Sequence, residues 1–361
     1  SPGYPFVQHK ESGKIGKTTF LGEGENFIYD HPMVLEQCNN YVEGALSNER
    51  PFLVFTTTEK DELRSIDRVE AGKTRSFAAA PLHFNILFRQ NYLDLFADIM
   101  ENRTSTSSIV GINPSSEEWD CCVISLCKIA SPNSRQFLAG DFSNFDGDLN
   151  LSFLWEIFDF LEGEYGRIDD PLSYALWTDI VCSHQVFGNS VIEVTRGQPS
   201  GNPGTTIINS LYNSSLLYTV MWSIMDDMNT EESVLIRDSL CDHYRVLVYG
   251  DDNIMSFSRD MVGLLDPALI TQKMLQFGHT YTTDDKSSAG LTYKKLSEIS
   301  ILKRRFVHDK WWLAPLDLSS ILEPLNWDKV REEQEDLKKY QVAVNAQTAI
   351  RELAMHDNST F

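Results

Sequence analysis

The spacing of apolar residues along the chain predicts several amphipathic helices. Helical periodicity is present near 31–47, over 84–100 and at about 149–163. The stretch 205–228 contains neither proline nor glycine, which favours one long helix. The charged, alanine-rich stretch 329–355 predicts another. The residues expected on the buried faces of the third and the last of these helices are Leu151, Leu154, Trp155, Phe158, Leu161, Leu337, Tyr340, Val344, Ile350 and Leu353.

Shorter β-prone runs predict strands. Tyr244–Val248 and Asn253–Phe257 flank the segment Tyr249-Gly250-Asp251-Asp252, so they predict a hairpin with a tight turn. A strand is also expected over Phe137–Phe142, and the Gly-, Pro- and Ser-rich residues 195–204 predict a loop. The sequence has no internal repeat. The mixture of helices and strands indicates an α/β (α+β) protein.

Composition agrees with a folded protein of one large or two to three smaller domains. The chain has 361 residues, of which 42% are hydrophobic and 23% charged. Its six cysteines form no CxxC pair, which favours reduced thiols in a cytosolic protein. No apolar run is long enough to span a bilayer, and the start, which lacks Met, indicates a processed product or an excised piece.

The net charge of −21 argues at first against a nucleic-acid-binding protein. The charges are unevenly distributed, however. Residues 141–170 carry nine acids and one base, whereas residues 286–310 carry seven bases and two acids. Local clusters of cations can still bind RNA, so the net charge describes the outer surface more than the partner. We expect RNA affinity that is weak and strongly dependent on salt.

Two pairs of aspartates could bind metal. Asp251 and Asp252 lie in the predicted tight turn, where a cation would relieve their repulsion; a solvated turn is the simpler interpretation of this pair alone. Asp141 ends a predicted strand, and Asp146 lies where the chain enters a helix, where it could equally be an N-cap. Together, a strand-end and a hairpin aspartate can hold two divalent cations for phosphoryl transfer.

A loop rich in small and hydroxyl residues precedes the long helix. It runs Ser200-Gly201-Asn202-Pro203-Gly204-Thr205, and Asn209 follows Thr205 by four residues and so shares its helix face. Hydroxyls and backbone N–H groups at such a position can bind a sugar–phosphate. A plain loop in which Thr205 caps the helix is the alternative.

A fourth segment is rich in cations and could hold a triphosphate. Four acids in the same window leave a net charge of only +1, so a solvated charged hairpin is the alternative. The five cations are Lys60, Arg64, Arg68, Lys73 and Arg75.

The segment Gly13-Lys14-Ile15-Gly16-Lys17-Thr18 only looks like a phosphate-binding P-loop. That motif needs a glycine five positions before Gly16, but the residue at that position is Glu11. A P-loop NTPase is therefore excluded.

In their order, these features resemble motifs F, A, B and C of the RNA-directed RNA polymerases of picornavirus-like positive-strand RNA viruses. Thr283-Asp284-Asp285-Lys286-Ser287 is similar to motif D, and Ile301-Leu302-Lys303-Arg304 to motif E, with Ile where Phe is more usual. The opening Ser1-Pro2-Gly3-Tyr4-Pro5 resembles an internal segment of the fingers. Residues 140–147 and 351–356 resemble the insect dicistrovirus-like branch.

The resemblance implies a right-hand polymerase fold in a core fragment. The implied division is fingers over 1–130 without their N-terminal part, palm over 131–163, a fingers insertion over 164–195, palm over 196–300, primer grip over 301–325 and the start of a thumb over 326–361.

The resemblance also implies residue roles in template-directed nucleotide addition. Asp141, Asp251 and Asp252, with the carbonyl of Phe142, would bind two Mg²⁺ ions, for which Mn²⁺ can substitute, and Lys286 would protonate the leaving pyrophosphate. The basic segment, in which the family more often has Lys at Arg68, would hold the triphosphate. A check for the ribose 2′-hydroxyl would involve Asp146, Ser200, Gly201, Thr205 and Asn209, and primer or RNA contacts would involve Tyr249, Leu302, Lys303 and Arg304.

The implied partners are an RNA template and primer, NTPs, a genome-linked protein primer and other viral replication proteins. The implied location is the host cell cytoplasm, at membrane-associated replication complexes reached through partners. Two alternatives are a non-catalytic RNA-binding or scaffold fragment of such a polymerase and a reverse transcriptase. The latter usually has a bulky aromatic near the position of Asp146 and no glycine at the position of Gly250.

Overall fold

The computed structural model describes residues 1–62, 64–167, 169–283, 290–327 and 335–356. The helices are α1 (Thr18–Leu21), α2 (Pro32–Leu46), α3 (Ile66–Glu70), α4 (Leu82–Glu101), α5 (Glu118–Leu126), α6 (Phe145–Asp148), α7 (Leu151–Tyr165), α8 (Pro171–Val181), α9 (Thr205–Met228), α10 (Glu231–Asp238), α11 (Leu240–His243), α12 (Arg259–Leu264), α13 (Pro267–Gln276), α14 (Leu318–Leu322) and α15 (Glu335–Leu353). The strands are β1 (Gly22–Glu23), β2 (Asn26–Phe27), β3 (Phe55–Glu59), β4 (Ser76–Ala79), β5 (Phe137–Ser143), β6 (Ser183–Phe187), β7 (Ser190–Val194), β8 (Tyr244–Tyr249), β9 (Asp252–Phe257), β10 (Thr280–Thr283), β11 (Ser300–Ile301), β12 (Arg304–Arg305), β13 (Val307–His308) and β14 (Trp312–Leu313).

Packing divides the chain into two units, and each is described by itself. The first unit comprises residues 1–98 and 144–212, and the second comprises residues 99–143 and 213–361. Fingers, palm and thumb are subdomains named by resemblance to the family, whereas these two units are defined by packing. The bounds expected for fingers, palm and thumb therefore stay a prediction.

The first unit contains a four-stranded sheet of order β4-β3-β6-β7. Strand β3 is antiparallel to β4 and parallel to β6, and β6 and β7 form an antiparallel hairpin. Helix α4 supplies a row of buried aromatic rings at helical spacing, Phe84, Phe88 and Tyr92, and Tyr92 also contacts Trp177 of α8. These rings form the apolar core on which the sheet and helices of this unit rest.

The second unit contains an antiparallel sheet of order β10-β5-β9-β8. Strand β9 is buried along nearly its whole length, so the centre of the sheet is covered on both faces. Trp119 of α5 stacks on Phe306 and lies in the same apolar cluster as Phe137, Leu247 and Ile254. A sheet covered in this way gives its strand ends and turns a rigid base.

Most of the helices and strands predicted from the sequence are present. Helix α9 covers the predicted stretch 205–228, and β8 and β9 form the predicted hairpin, each one residue longer at the turn. Helices α2 and α4 and strand β5 also match their predictions within a few residues. In the described part of the chain, no helix combines the length and the apolar character that crossing a membrane requires.

The predicted buried face of α7 is correct only in part. Leu154, Phe158 and Leu161 are buried, but Leu151 is 37% exposed and Trp155 is half-buried. At 100° per residue, Leu151 and Trp155 both lie on one margin of the buried arc. Ile157, which is buried, lies on the opposite margin, so the packed face is rotated towards it.

The predicted buried face of α15 is wrong at three positions. Leu337, Tyr340 and Ile350 are 49%, 67% and 58% exposed, whereas Val344 and Leu353 are half-buried. The helix packs through a different and largely polar stripe that includes Asn345, Ala349 and Glu352. The Nδ2 of Asn345 donates to the Pro324 carbonyl at 2.8 Å, and Glu352 pairs with Arg304. The spacing of apolar residues therefore predicted the wrong buried face, because polar contacts fix this helix.

Candidate active site

The hairpin of β8 and β9 ends in a two-residue turn. Tyr249 pairs with Asp252, which leaves Gly250 and Asp251 as the turn residues. Gly250 has a φ of +62°, the sign that the first central position of a type II′ turn requires and that favours glycine there. The turn projects Asp251 beyond the end of the sheet, and Asp252 begins β9.

Strand β5 brings a third aspartate to the same end of the sheet. Gly140 of β5 pairs with Asn253 of β9, so Asp141 lies one residue further towards the turn, beside Asp252. On its other side, Asp141 pairs with Thr282 of β10. The register of the three strands therefore places Asp141, Asp251 and Asp252 together, as predicted from the sequence.

The pKa of Asp252 shows that the three carboxylates are close enough to repel one another. Desolvation and, after it, the negative charges of Asp251 and Asp141 together raise the pKa of Asp252 to about 6. A hydrogen bond from the Leu302 backbone N–H and the charge of Lys303 act in the opposite direction. Partly desolvated, mutually repelling carboxylates are groups that a divalent cation stabilises.

The donor set fits Mg²⁺, which takes one or two carboxylates together with substrate phosphates and water. Asp141 supplies such a carboxylate from β5 and Asp251 supplies one from the turn between β8 and β9, and the Phe142 carbonyl follows Asp141 on β5. Within the described ranges, no three His, Cys, Asp or Glu side chains already converge in ligand geometry. The fit therefore rests on the oxygen chemistry of the donors and on their repulsion.

A strained turn explains how the Leu302 N–H reaches Asp252. Leu302 and Lys303 connect β11 and β12, with φ values of +55° and +59°. Positive φ at both central residues is typical of a type I′ turn, which normally uses Asn or Gly. Non-glycine residues in this region cost about 1–2 kcal/mol each. That cost is offset by the hydrogen bond that the turn donates to the Asp252 carboxylate.

A second polar cluster lies in the first unit, around Asp146. The Nδ2 of Asn209 donates to the Asp146 carboxylate at 2.6 Å, and the Gln198 backbone N–H donates to the Asp146 carbonyl at 2.9 Å. The Gln198 side chain also donates to Asn209. The structure thus brings together the predicted pair Asp146 and Asn209 and adds Gln198, which the sequence did not single out.

The loop before α9 is held mainly by Asn202. Its Oδ1 accepts from the Gly204 N–H at 2.8 Å, and its carbonyl accepts from the Thr205 hydroxyl at 2.9 Å. The Gly201 N–H donates to the Ala78 carbonyl of β4 at 3.0 Å, and Ser200 beside it is half-buried. The Thr205 hydroxyl is thus bonded to the loop that precedes the helix, and a role of this loop in sugar–phosphate binding stays a prediction.

Comparisons with known proteins decide the family. The family model described as "Viral RNA-dependent RNA polymerase" matches residues 1–354. The chain belongs to the viral RNA-dependent RNA polymerase family. The resemblance to the RNA-directed RNA polymerases of RNA viruses, which the sequence interpretation proposed, is therefore confirmed.

Relatives of this polymerase family member support the insect dicistrovirus-like branch. The chain is 32% identical over 371 residues to the "Replicase polyprotein" of Acute bee paralysis virus, covering 100% of the chain and 19% of the polyprotein. It is also 32% identical over 382 residues to that of Cricket paralysis virus, covering 100% of the chain and 21% of the polyprotein. The chain thus spans about a fifth of the length of these curated relatives.

A solved structure confirms the predicted polymerase fold. The "Sicinivirus 3Dpol RNA dependent RNA polymerase" matches with a TM-score of 0.72 at 22% sequence identity, covering 98% of this chain and 72% of that one. At this identity the match concerns the fold, and the α+β right-hand polymerase class follows from it.

The basic segment that resembles motif F of the polymerase family lies between β3 and β4. The Lys60 N–H donates to the Arg75 carbonyl at 2.8 Å, so the two ends of the segment meet. Glu62 accepts from Arg64 at 2.8 Å and lies 3.6 Å from Arg75. Arg68 and Lys73 are exposed, so the segment keeps accessible cations, and its role in triphosphate binding stays a prediction.

The primer-grip residues predicted from the family have different surroundings. Arg304 forms a bidentate pair with Glu352, with both N–O distances 2.8 Å, and also donates to the Ala314 carbonyl. This pair fixes α15 against the β11–β12 hairpin. Lys303 is exposed, and Tyr249 packs against the apolar cluster beside the turn. Contact of these residues with RNA stays a prediction.

One predicted residue lies where its position is not described, and one residue near the turn was missed by the sequence analysis. Lys286, expected to act as a general acid in motif D, lies outside the described residues. Asn213 was not singled out, yet its buried amide contacts the carbonyls of the Gly250-Asp251 turn. Its position four residues after Asn209 on α9 is the signal that could have indicated it, since residues at that spacing share a helix face.

Proposed function

We propose that this chain is the catalytic core of an RNA-directed RNA polymerase, which adds NTPs to an RNA 3′ end under the direction of an RNA template. The observation that carries the proposal is the convergence of Asp141, Asp251 and Asp252 at one end of a buried sheet, with the raised pKa of Asp252. Family membership supports the same reaction class.

In the proposed reaction, the primer 3′-hydroxyl gives its proton to water, its oxygen attacks the α-phosphorus of the NTP, and the bond from that phosphorus to the bridging oxygen of the β-phosphate breaks to release pyrophosphate. Two bound Mg²⁺ ions would supply Lewis-acid chemistry that acidifies the hydroxyl and neutralises the phosphates. Asp141 and Asp251 would hold these ions. Asp252 is held in place by the Leu302 N–H, which keeps the turn and its carboxylates at a fixed position.

The variant Asp251→Asn tests this assignment. We expect it to abolish primer extension with Mg²⁺ while the thermal midpoint stays unchanged or rises, because it removes repulsion between neighbouring carboxylates. Asp242→Asn, at an exposed position just before β8, is the matched control and should retain activity. Extension by Asp251→Asn at the wild-type rate would exclude the two-metal site. Loss of activity in both variants would indicate misfolding.

We further propose that the Asp146 cluster selects NTPs over dNTPs. Asn209 donates to the Asp146 carboxylate, and the Gln198 N–H holds the Asp146 backbone carbonyl. The carboxylate can still accept a hydrogen bond from a ribose 2′-hydroxyl. A polar site built for a hydroxyl loses a partner when deoxyribose binds. Asp146→Ala and Asn209→Ala should therefore reduce NTP over dNTP selection by on the order of tenfold or more. Unchanged selection in both variants contradicts the proposal.

Two other functions are outcomes of the same assays. Preferential use of dNTPs on an RNA template would indicate a reverse transcriptase. RNA binding without any extension would indicate a scaffold fragment. We also propose that the chain acts with a genome-linked protein primer and other viral replication proteins, in the host cytoplasm at membrane-associated complexes. Co-purification of tagged chain with membranes only when these partners are co-expressed would test that location.

A further inference from the structure

Two buried side-chain amides hold the backbone of the Gly250-Asp251 turn. The Nδ2 of Asn213 lies 3.0 Å from both the Gly250 and the Asp251 carbonyl oxygens. The Nδ2 of Asn253 lies 3.2 Å from the Asp251 carbonyl oxygen. Asn213 and Asn253 are 0% and 2% exposed. The carbonyl of Asp251, the residue proposed to bind metal, therefore accepts from two side chains that solvent does not reach.

The orientation of the Asn253 amide is set by Tyr281 of β10. The Tyr281 hydroxyl donates to the Asn253 Oδ1 at 2.6 Å, and both residues are buried. Because Oδ1 accepts this bond, the Nδ2 group, which is the only donor of the amide, faces the Asp251 carbonyl. A chain of hydrogen bonds thus runs from the tyrosine through the amide to the turn.

Gly140 makes room for this tyrosine. A Cβ atom at Gly140 would lie 2.1 Å from the Cζ and 2.2 Å from the hydroxyl oxygen of Tyr281. These distances are far below van der Waals contact, so any side chain at this position would displace the ring. Glycine immediately before Asp141 is therefore required by the route of the Tyr281 hydroxyl across β5.

The side of the turn at Gly250 faces open space. No atom lies within 4 Å of the place where a Cβ of Gly250 would be. Loss of these amide hydrogen bonds would leave the peptide groups on either side of Asp251 less constrained, and the carboxylate would move with them. Small displacements of this kind matter, since a shift of about 1 Å in a reacting group can lower a rate by about 10²-fold.

We propose that Tyr281, Asn253 and Asn213 are positioning residues that fix the Gly250-Asp251 turn, and with it the Asp251 carboxylate, for metal binding and nucleotidyl transfer. The inference rests on the proposed polymerase function. It assigns to these three residues a role through the turn backbone, with no contact to the nucleotide itself.

The variant Tyr281→Phe removes one hydroxyl and keeps the ring. We expect kcat for primer extension to fall at least tenfold and the Mg²⁺ concentration for half-maximal rate to rise by a similar factor, because outer groups that orient metal ligands typically contribute 10–100-fold. KM for NTP should change less than twofold. The matched control is Tyr293→Phe, which removes a hydroxyl that donates to the Leu265 carbonyl at 3.0 Å in the same unit.

A double-mutant cycle distinguishes positioning from general destabilisation. If Tyr281 acts through Asn253, then Tyr281→Phe should have no further effect on kcat in an Asn253→Ala background. Additive effects, or equal activities of Tyr281→Phe and Tyr293→Phe, would overturn the proposal. Thermal midpoints of the two phenylalanine variants should fall by similar amounts, since each loses one hydrogen bond, buried for Tyr281 and partly buried for Tyr293.

Mn²⁺ binding measured by electron paramagnetic resonance separates this proposal from the proposed function. Tyr281→Phe should weaken Mn²⁺ binding several-fold, and Tyr293→Phe should leave it unchanged. Equal Mn²⁺ affinity in both variants overturns the positioning role, whatever the activity of the chain. Absence of primer extension by the wild-type chain, with Mn²⁺ binding weakened in Tyr281→Phe alone, would contradict the polymerase function and support the positioning role.

Discussion

His83 should make the first unit less stable as pH falls. The imidazole lies in α4 between the rings of Phe6 and Tyr41, at centroid distances of 5.6 and 6.1 Å, and is 3% exposed. Burial lowers the pKa of His83 from 6.5 to about 4. Because the folded-state pKa is depressed, the unfolded chain takes up the proton first. The stability present above pH 6.5 is then lost as pH falls towards 4.

The size of this effect follows from the two pKa values. Between pH 7 and pH 5, protonation of the unfolded state alone costs about 2 kcal/mol of folding free energy. Asp179 works in the opposite direction, since burial raises its pKa to about 6 against the hydrogen bond from Tyr41 and the charge of Arg50. Its raised folded-state pKa adds about 1 kcal/mol of stability over the same fall in pH.

The variant His83→Phe isolates the imidazole. Urea unfolding of wild type and variant at pH 7 and pH 5 should show that the wild type loses about 2 kcal/mol more on acidification than the variant does. Any packing change caused by phenylalanine acts equally at both pH values. His9→Phe, at an exposed position of the same unit, is the control. The same loss on acidification in His83→Phe and wild type would refute the reasoning.

Three further predictions follow from the contacts of the second unit and from the charge pattern. Leu302→Gly should raise the unfolding free energy by about 1 kcal/mol, because glycine adopts positive φ without strain; a decrease would show that the leucine side chain contributes more than the strain costs. Glu352→Gln should lower the thermal midpoint by several degrees by breaking the partly buried pair with Arg304, whereas the exposed Glu335→Gln should not. RNA affinity, measured by fluorescence anisotropy, should fall by on the order of tenfold or more between 50 and 200 mM salt, and affinity unaffected by salt would contradict binding through phosphates.

Local sequence signals predicted the elements that carry the site. Gly250 in a tight turn between two β-prone runs indicates the hairpin, and the unbroken stretch 205–228 indicates α9, since both depend on neighbouring residues. The pairing of Asp141 with the hairpin was expected only because the order of motifs resembled a known family. Strand register itself, such as Gly140 opposite Asn253, depends on contacts distant in sequence.

The parts that could not be predicted depend on partners far along the chain. Nothing near Gln198 indicates that its side chain donates to Asn209, or that Tyr281 reaches Asn253. The exposure of Leu337 in α15 was missed for the same reason, since the helix packs through a pair formed with a residue 48 positions earlier. Hydrophobic periodicity carries no information on such polar contacts.

Glu62 gives the basic segment an internal competitor. Its carboxylate contacts Arg64 and Arg75, which are two of the cations proposed to bind a triphosphate. If the segment binds the triphosphate as predicted, an incoming nucleotide would displace this carboxylate, and part of its binding energy would go into breaking existing contacts. The same carboxylate can form its ion pairs with the two guanidinium groups again when pyrophosphate departs. Glu62 would thus weaken nucleotide affinity and speed the release of pyrophosphate. The balance between these two effects would influence the rate of nucleotide addition.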